Sequence, residues 1–175
     1  PKCGDSAPDH LHFQAGTSGI LPLQANWQRL SRNLTDIISL NDDEKIALIH
    51  DFVVPAFVII SKSEDSDEAL FQRLYKSMPM RGDETEPMMN IIAWRKGDEY
   101  ISVVIPREKH RPEAYFAEGD AQVMVSTGAL DMSGLIITPR EEDFHKLTEE
   151  SDTTILQHCG ISTEKINTIV TKLKT

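Results

Sequence analysis

Met89-Asn90-Ile91-Ile92-Ala93-Trp94, then Lys96-Gly97-Asp98, then Tyr100-Ile101-Ser102-Val103-Val104-Ile105: two β-rich runs flank a short polar turn that contains glycine. This spacing predicts a hairpin. Pro106 ends the second strand, because it has no N–H to give a ladder. Two strands joined by so short a turn run antiparallel.

Outward from the hairpin, Ala56-Phe57-Val58-Ile59-Ile60 reads as a buried strand. Residues 121–126 and 135–138 look like two further strands. Residues 10–15 alternate as a short strand, and 17–22 form a turn. Asn41-Asp42-Asp43-Glu44 resembles a capping box. Ile46, Ile49, Phe52 and Val53 follow on one helical face, so a helix is expected there, stopped by Pro55. Residues 63–67 read as an acidic linker, 68–78 as a helix and 79–87 as a polar loop. Residues 141–147, 153–159 and 163–173 are expected as helices. The sum is an α+β fold with an antiparallel sheet and flanking helices.

The chain has 175 residues, which predicts one domain. Lys plus Arg number 18 and Asp plus Glu 28, for a net charge of −10. Such a chain has no global footprint for nucleic acid or an anionic membrane. It can still take a phosphate locally, on a few basic side chains or backbone amides. Cys3 and Cys159 are the two cysteines, too few for a disulfide scaffold and without metal-type spacing. They are expected as reduced thiols of a cytoplasmic protein. No stretch is apolar enough to span a membrane, and no signal peptide is visible. The chain opens Pro-Lys-Cys-Gly-Asp without a Met. A fragment, lacking an N-terminal part, is the expectation.

Ser6-Ala7-Pro8-Asp9-His10-Leu11-His12-Phe13-Gln14-Ala15 stands apart chemically. On a strand, His10, His12 and Gln14 share a face, with Leu11 and Phe13 on the other. Such a wall suits three roles. A neutral imidazole can attack phosphorus and form a covalent nucleotide intermediate, with neighbouring donors neutralising the phosphoryl oxygens. H-x-H can also bind a metal, although Gln14 is a poor third ligand. A structural strand with partly exposed histidines is the remaining reading.

His10-Leu11-His12-Phe13-Gln14, after Ser6 and Pro8, resembles the signature of the histidine-triad (HIT-like) superfamily, in its H-x-H-x-Q branch. That branch includes galactose-1-phosphate uridylyltransferases, dinucleoside polyphosphate phosphorylases and GDP-hexose phosphorylases. The string His-Leu-His-Phe-Gln-Ala is nearest the last group. Glu86-Pro87-Met88-Met89-Asn90, Val104-Ile105-Pro106-Arg107-Glu108-Lys109-His110-Arg111-Pro112 and Asp131-Met132-Ser133-Gly134 resemble a bacterial family of the same superfamily.

The resemblance implies a HIT-like domain over residues 1–175, the C-terminal part of a larger unit. It implies His12 as nucleophile, with His10 beside it positioning phosphates or supporting the leaving group. Gln14 would hydrogen-bond the phosphate and the covalent intermediate. In such enzymes Gln in place of a third histidine separates transferases and phosphorylases from hydrolases. Ser6 would contact a phosphate oxygen, at a spacing one residue longer than in the uridylyltransferases. No metal or other cofactor is expected. The implied substrate is a nucleoside diphosphate sugar or a dinucleoside polyphosphate. A homodimer or a missing N-terminal segment would complete the site. A non-catalytic nucleotide-binding module and a metalloprotein using His10 and His12 are the alternatives.

Arg107, Lys109, His110 and Arg111 form a basic cluster after the hairpin. A solvated turn and a phosphate-facing loop are both open readings, and guanidinium geometry suits phosphate oxygens. Glu84, Glu86 and Asn90 could touch a ribose. Asp131 and Ser133 suit a site edge or a connecting turn. Trp27 and Trp94 read as core or partly covered surface, and His50, His145 and His158 as helix-surface residues.

Overall fold

The structure is a computed structural model that describes residues 13–82 and 84–175. In chain order, its elements begin with two short helices, α1 (Pro22–Ala25) and α2 (Trp27–Leu30). Strands β1 (Leu34–Ser39), β2 (Lys45–Ile49) and β3 (Ala56–Ser61) follow, then helix α3 (Glu64–Ser77). The hairpin is β4 (Met89–Lys96) and β5 (Glu99–Pro106). The remainder is helical and irregular: α4 (Glu113–Phe116), α5 (Ala129–Met132), α6 (Glu141–Lys146), α7 (Glu149–Cys159) and α8 (Thr163–Leu173).

The five strands form one sheet in the order β1-β2-β3-β5-β4. Every pairing is antiparallel. The hairpin registers Met89 on Pro106 and Lys96 on Glu99, with Gly97 at φ 64° in its turn. That left-handed conformation favours glycine. The expected α+β class with flanking helices is what the structure shows.

Both faces of the sheet are buried. On one, α3 and α8 lay Leu70, Leu74, Ile166, Ile169 and Leu173 against Ile46, Phe57, Ile59 and Val104. On the other, Leu23, Trp27 and Leu30 of the short helices cover Ala47, Val58, Ile92, Ile101 and Val103. Trp27 meets Trp94 edge-on, with ring centroids 5.5 Å apart. Asp67 of α3 accepts from the Ser61 hydroxyl at 3.0 Å and from Ser102 at 3.3 Å, pinning the helix to the sheet. Among the described residues, no helix is long and apolar enough to cross a membrane.

Five sequence expectations are corrected. The expected helix after Asn41 is strand β2. Asn41 does cap, accepting from the amides of Asp43 and Glu44 at 2.9 Å each, but it caps the β1–β2 turn. Ile46 faces one apolar layer, and Ala47 and Ile49 face the other. Two-sided burial in a central strand thus produced an apolar run that also fits a helix. Residues 63–67 are no linker: Ser63 caps α3, accepting from Ser66 N at 3.2 Å, and Glu64, Asp65 and Asp67 fill its first turn. Acidic side chains there favour the positive end of the helix dipole.

Residues 121–126 and 135–138 join no sheet. Val123 N donates to Ala114 O at 3.0 Å, and Met124 N to the Asp143 carboxylate at 3.0 Å. A carbonyl of α4 and a side-chain carboxylate take the place of a neighbouring strand. Of the strand expected at 10–15, residues 10–12 lie outside the described residues. Residues 13–15 form no strand, and Phe13 is 92% exposed rather than packed inward.

Truncating a central side chain leaves a cavity between sheet and helix. Phe57, fully buried in β3, is expected to cost about 3–5 kcal/mol on substitution by Ala. Urea unfolding of Phe57→Ala measures this. A loss below about 1 kcal/mol would contradict the described packing.

Candidate functional site

The hairpin sets two polar side chains at one end of the sheet. Asn90, near the start of β4, pairs with Ile105 of β5, and Arg107 follows directly after β5. Arg107 N donates to Met88 O at 2.8 Å, so the backbone ladder persists past Pro106. Both side chains are buried, Asn90 at 2% and Arg107 at 3% exposure.

The Arg107 guanidinium lies inside the loop that follows it. It donates to Lys109 O and His110 O at 3.0 Å each, to Thr127 O at 3.1 Å and to Thr127 Oγ1 at 2.7 Å. It also bonds Asn90 Oδ1, and Cys159 O at 3.3 Å. The Thr127 hydroxyl in turn reaches His110 O at 3.1 Å. A buried guanidinium needs such a set, because desolvating the charge without hydrogen bonds costs several kcal/mol.

Helix α7 completes the frame. Glu108 N donates to Cys159 O at 2.8 Å, the same carbonyl that Arg107 Nε uses. A cation at a helix C-terminus is favoured by the dipole. Gly160 then bridges Arg107 and passes hard against Val54. A Cβ at Gly160 would lie 2.9 Å from Val54 Cγ1.

The remaining basic residues of the loop face outward. Lys109 is exposed and pairs with Glu113 at 2.9 Å. This hydrogen bond holds the Glu113 carboxyl below its usual range and the Lys109 ammonium above its own. An exposed pair of this kind contributes little stability. Arg111 is half-buried. Its Nε donates to Ser126 Oγ at 3.0 Å, and its guanidinium stands 4.4 Å over the Tyr115 ring.

Segment 122–127, which supplies Ser126 and Thr127, is itself clamped. Arg140 binds Asp143 bidentately at 2.7 and 2.8 Å, and Met124 N donates to the same carboxylate. The Arg140 hydrogen bond holds the Asp143 carboxyl below its ordinary range.

Of the residues singled out from sequence, Arg107, Lys109 and Arg111 therefore share one loop with three different orientations. Ser6, His10 and His12 lie outside the described residues. Gln14 is exposed. Asp131 is buried and caps α5, accepting from Gly128 N and Ile137 N at 2.8 Å each; burial pushes its carboxyl up. Ser133 is also buried and donates to Leu130 O. Asp131 thus lies within α5 and Ser133 at its C-cap, where the sequence suggested a site edge or a connecting turn. Glu84 and Glu86 are half-buried in the loop before β4. His50 is exposed just beyond the end of β2, not on a helix, and hydrogen-bonds Thr35 at 2.7 Å. Among the described residues, no group of three His, Cys, Asp or Glu could hold a metal. Two surface depressions, one lined by Arg140, Glu141, Glu142 and His145 and one around Val53–Pro55 and Ile161–Thr163, share no residue with the Arg107 loop.

Ser126, Thr127, Tyr115 and the Cys159 carbonyl were not foreseen. The i, i+4 spacing of Arg111 and Tyr115 was the one available signal.

The family described as ATP adenylyltransferase C-terminal domain matches residues 47–162, two thirds of the chain. The chain belongs to this family. Its match runs from β2 to just beyond α7, so it contains the sheet from β2 onward and the whole Arg107 loop. Nucleotidyl transfer in general is the chemistry to which this membership points. The H-x-H-x-Q motif at 10–14 precedes the matched residues. No curated protein and no solved structure matches the chain.

Two outcomes test the frame of this adenylyltransferase-type domain. Arg107→Lys keeps the charge but loses the fork, orphaning several buried carbonyls. It is expected to cost at least about 2 kcal/mol in urea unfolding; a loss near zero would show that the guanidinium does not hold the loop. Asp143→Asn should destabilise the domain at neutral pH. Because the folded carboxyl is held below its ordinary value of 3.8, the wild-type advantage should persist down to that value. It should then fade as pH falls further, through the folded pKa. Chemical denaturation of both proteins from pH 7 to pH 2.5 gives the comparison; an advantage that grows on acidification would contradict the clamp.

Proposed function

We propose that this protein is a nucleotidyltransferase or phosphorylase that works through a covalent His12–nucleotide intermediate. One observation carries this reading. A family match over residues 47–162 and a separate H-x-H-x-Q motif at residues 10–14 point to the same chemistry from different parts of the chain.

In the first step, an imidazole nitrogen of His12 attacks the α-phosphorus of the donor. A P–N bond forms, and the P–O bond to the leaving phosphate or sugar phosphate breaks. In the second step, a phosphate oxygen of the acceptor attacks the same phosphorus. A P–O bond forms, the P–N bond breaks, and His12 is regenerated. Two inversions give net retention. His10 supports the leaving group, Gln14 and Ser6 hold phosphoryl oxygens, and Lys109 and Arg111 bind the outer phosphates. Arg107 acts by fixing the backbone from which those two side chains project.

The donor is a dinucleoside polyphosphate or a nucleoside diphosphate sugar. The family's name favours an adenine nucleotide. The two-cysteine composition suits a cytoplasmic enzyme.

Intact-protein mass spectrometry after incubation with diadenosine tetraphosphate, and separately with nucleoside diphosphate sugars, tests the proposal. A nucleoside monophosphate adduct is expected, labile to acid and lost in His12→Ala. An adduct that survives in His12→Ala would move the nucleophile elsewhere. No adduct from any donor would remove the covalent mechanism.

A further inference from the structure

The outward side of the Arg107 loop carries an arrangement that phosphate binding alone does not use. Phe116, on the four-residue helix α4, is 69% exposed. Its ring meets Tyr115 edge-on, at 5.1 Å between centroids and 71° between planes. Tyr115 in turn lies under the Arg111 guanidinium, 4.4 Å from it. A cation, a half-buried ring and an exposed ring thus form a short ladder on the surface.

Each rung has a fixed orientation. Arg111 is held at Nε by Ser126 and over one ring by Tyr115. Its Nη groups meet no hydrogen-bonding partner among the described residues. They remain available for an anion, which a guanidinium can grip through two oxygens. Phe116 is kept in place by an aromatic edge contact while most of its ring stays in water. A nucleobase can stack on such a ring whatever its identity. The chain's net charge is −10, so a polyphosphate is not drawn in by a broad positive field. It must be caught locally, by a charge already aimed.

We propose that Arg111, Tyr115 and Phe116 form a nucleotide subsite in which the base stacks on Phe116 and Arg111 grips the phosphates. This rests on the nucleotidyl-transfer reading and adds the place of the base. Tyr115 is a positioning residue that orients the other two.

Isothermal titration of the full chain with ADP and with inorganic tripolyphosphate separates the two contacts. Phe116→Ala should weaken ADP roughly tenfold, the size of one lost base–aromatic stack, and leave tripolyphosphate unchanged. Phe116→Trp should restore ADP binding. Arg111→Gln should weaken both probes. Thermal unfolding of each variant checks that the domain is intact. The subsite is refuted if wild type binds neither probe, or if ADP affinity in Phe116→Ala and Arg111→Gln stays within about twofold of wild type. It is also refuted if Phe116→Ala weakens both probes alike. The two readings fail separately. An ADP and tripolyphosphate split without any His12 adduct sinks the covalent mechanism alone. A His12 adduct with unaltered binding in both variants sinks the subsite alone.

Discussion

A guanidinium buried at 3% exposure is the constraint on which the functional end of this domain depends. Its acceptors come from residues 90, 109, 110, 127 and 159, which belong to four separate segments of the chain. Removing a charge of this kind from water is costly, so every donor must be used. Meeting that demand forces the start of β4, the loop after β5, the 122–127 segment and the end of α7 into one arrangement. The outward positions of Lys109 and Arg111 follow from where their backbone is tied. A short polar loop can therefore hold charged side chains at defined places without a helix or strand of its own.

Behind the loop, the sheet supplies rigidity. Its central strands are covered on both faces, by α3 and α8 on one side and by the short N-terminal helices on the other. Two connections carry that rigidity to the surface. Asp67 ties α3 to β3 and β5. Arg140 and Asp143 tie α6 to the irregular segment that supplies Ser126 and Thr127. The second connection replaces a strand pairing with a charge-assisted clamp, which is stronger per contact than a neutral hydrogen bond.

The hairpin from 89 to 106 was legible in the sequence because its determinants are local: two β-rich runs and a glycine turn between them. The helices at 141–146, 149–159 and 163–173 were legible, within a few residues, for the same reason. β2 was not, because Lys-Ile-Ala-Leu-Ile buries both faces and so erases the alternation that marks a strand. β1 is mostly exposed and carries a register shift between Asp36 and Ile38, which leaves little apolar period to detect. The basic cluster was visible as composition. That Arg107 turns inward while Lys109 and Arg111 turn outward was not, since several of its acceptors lie 17 to 52 residues away. The family match covers the loop and the sheet from β2 onward but begins well after His12, so the chemistry assigned to the motif rests on the motif itself.

The contact between Gly160 and Val54 has an evolutionary consequence. Gly160 sits at φ −73°, a conformation open to any residue, so volume alone excludes a side chain there. The missing space belongs to Val54, whose Cγ1 and Cβ would lie 2.9 and 3.1 Å from a new methyl group. A volume conflict between two positions can be settled from either one. Substitution at 160 becomes accessible only through lineages in which position 54 has first become small. The two sites, 106 residues apart in sequence, should therefore drift as a coupled pair, with the order of events fixed by packing.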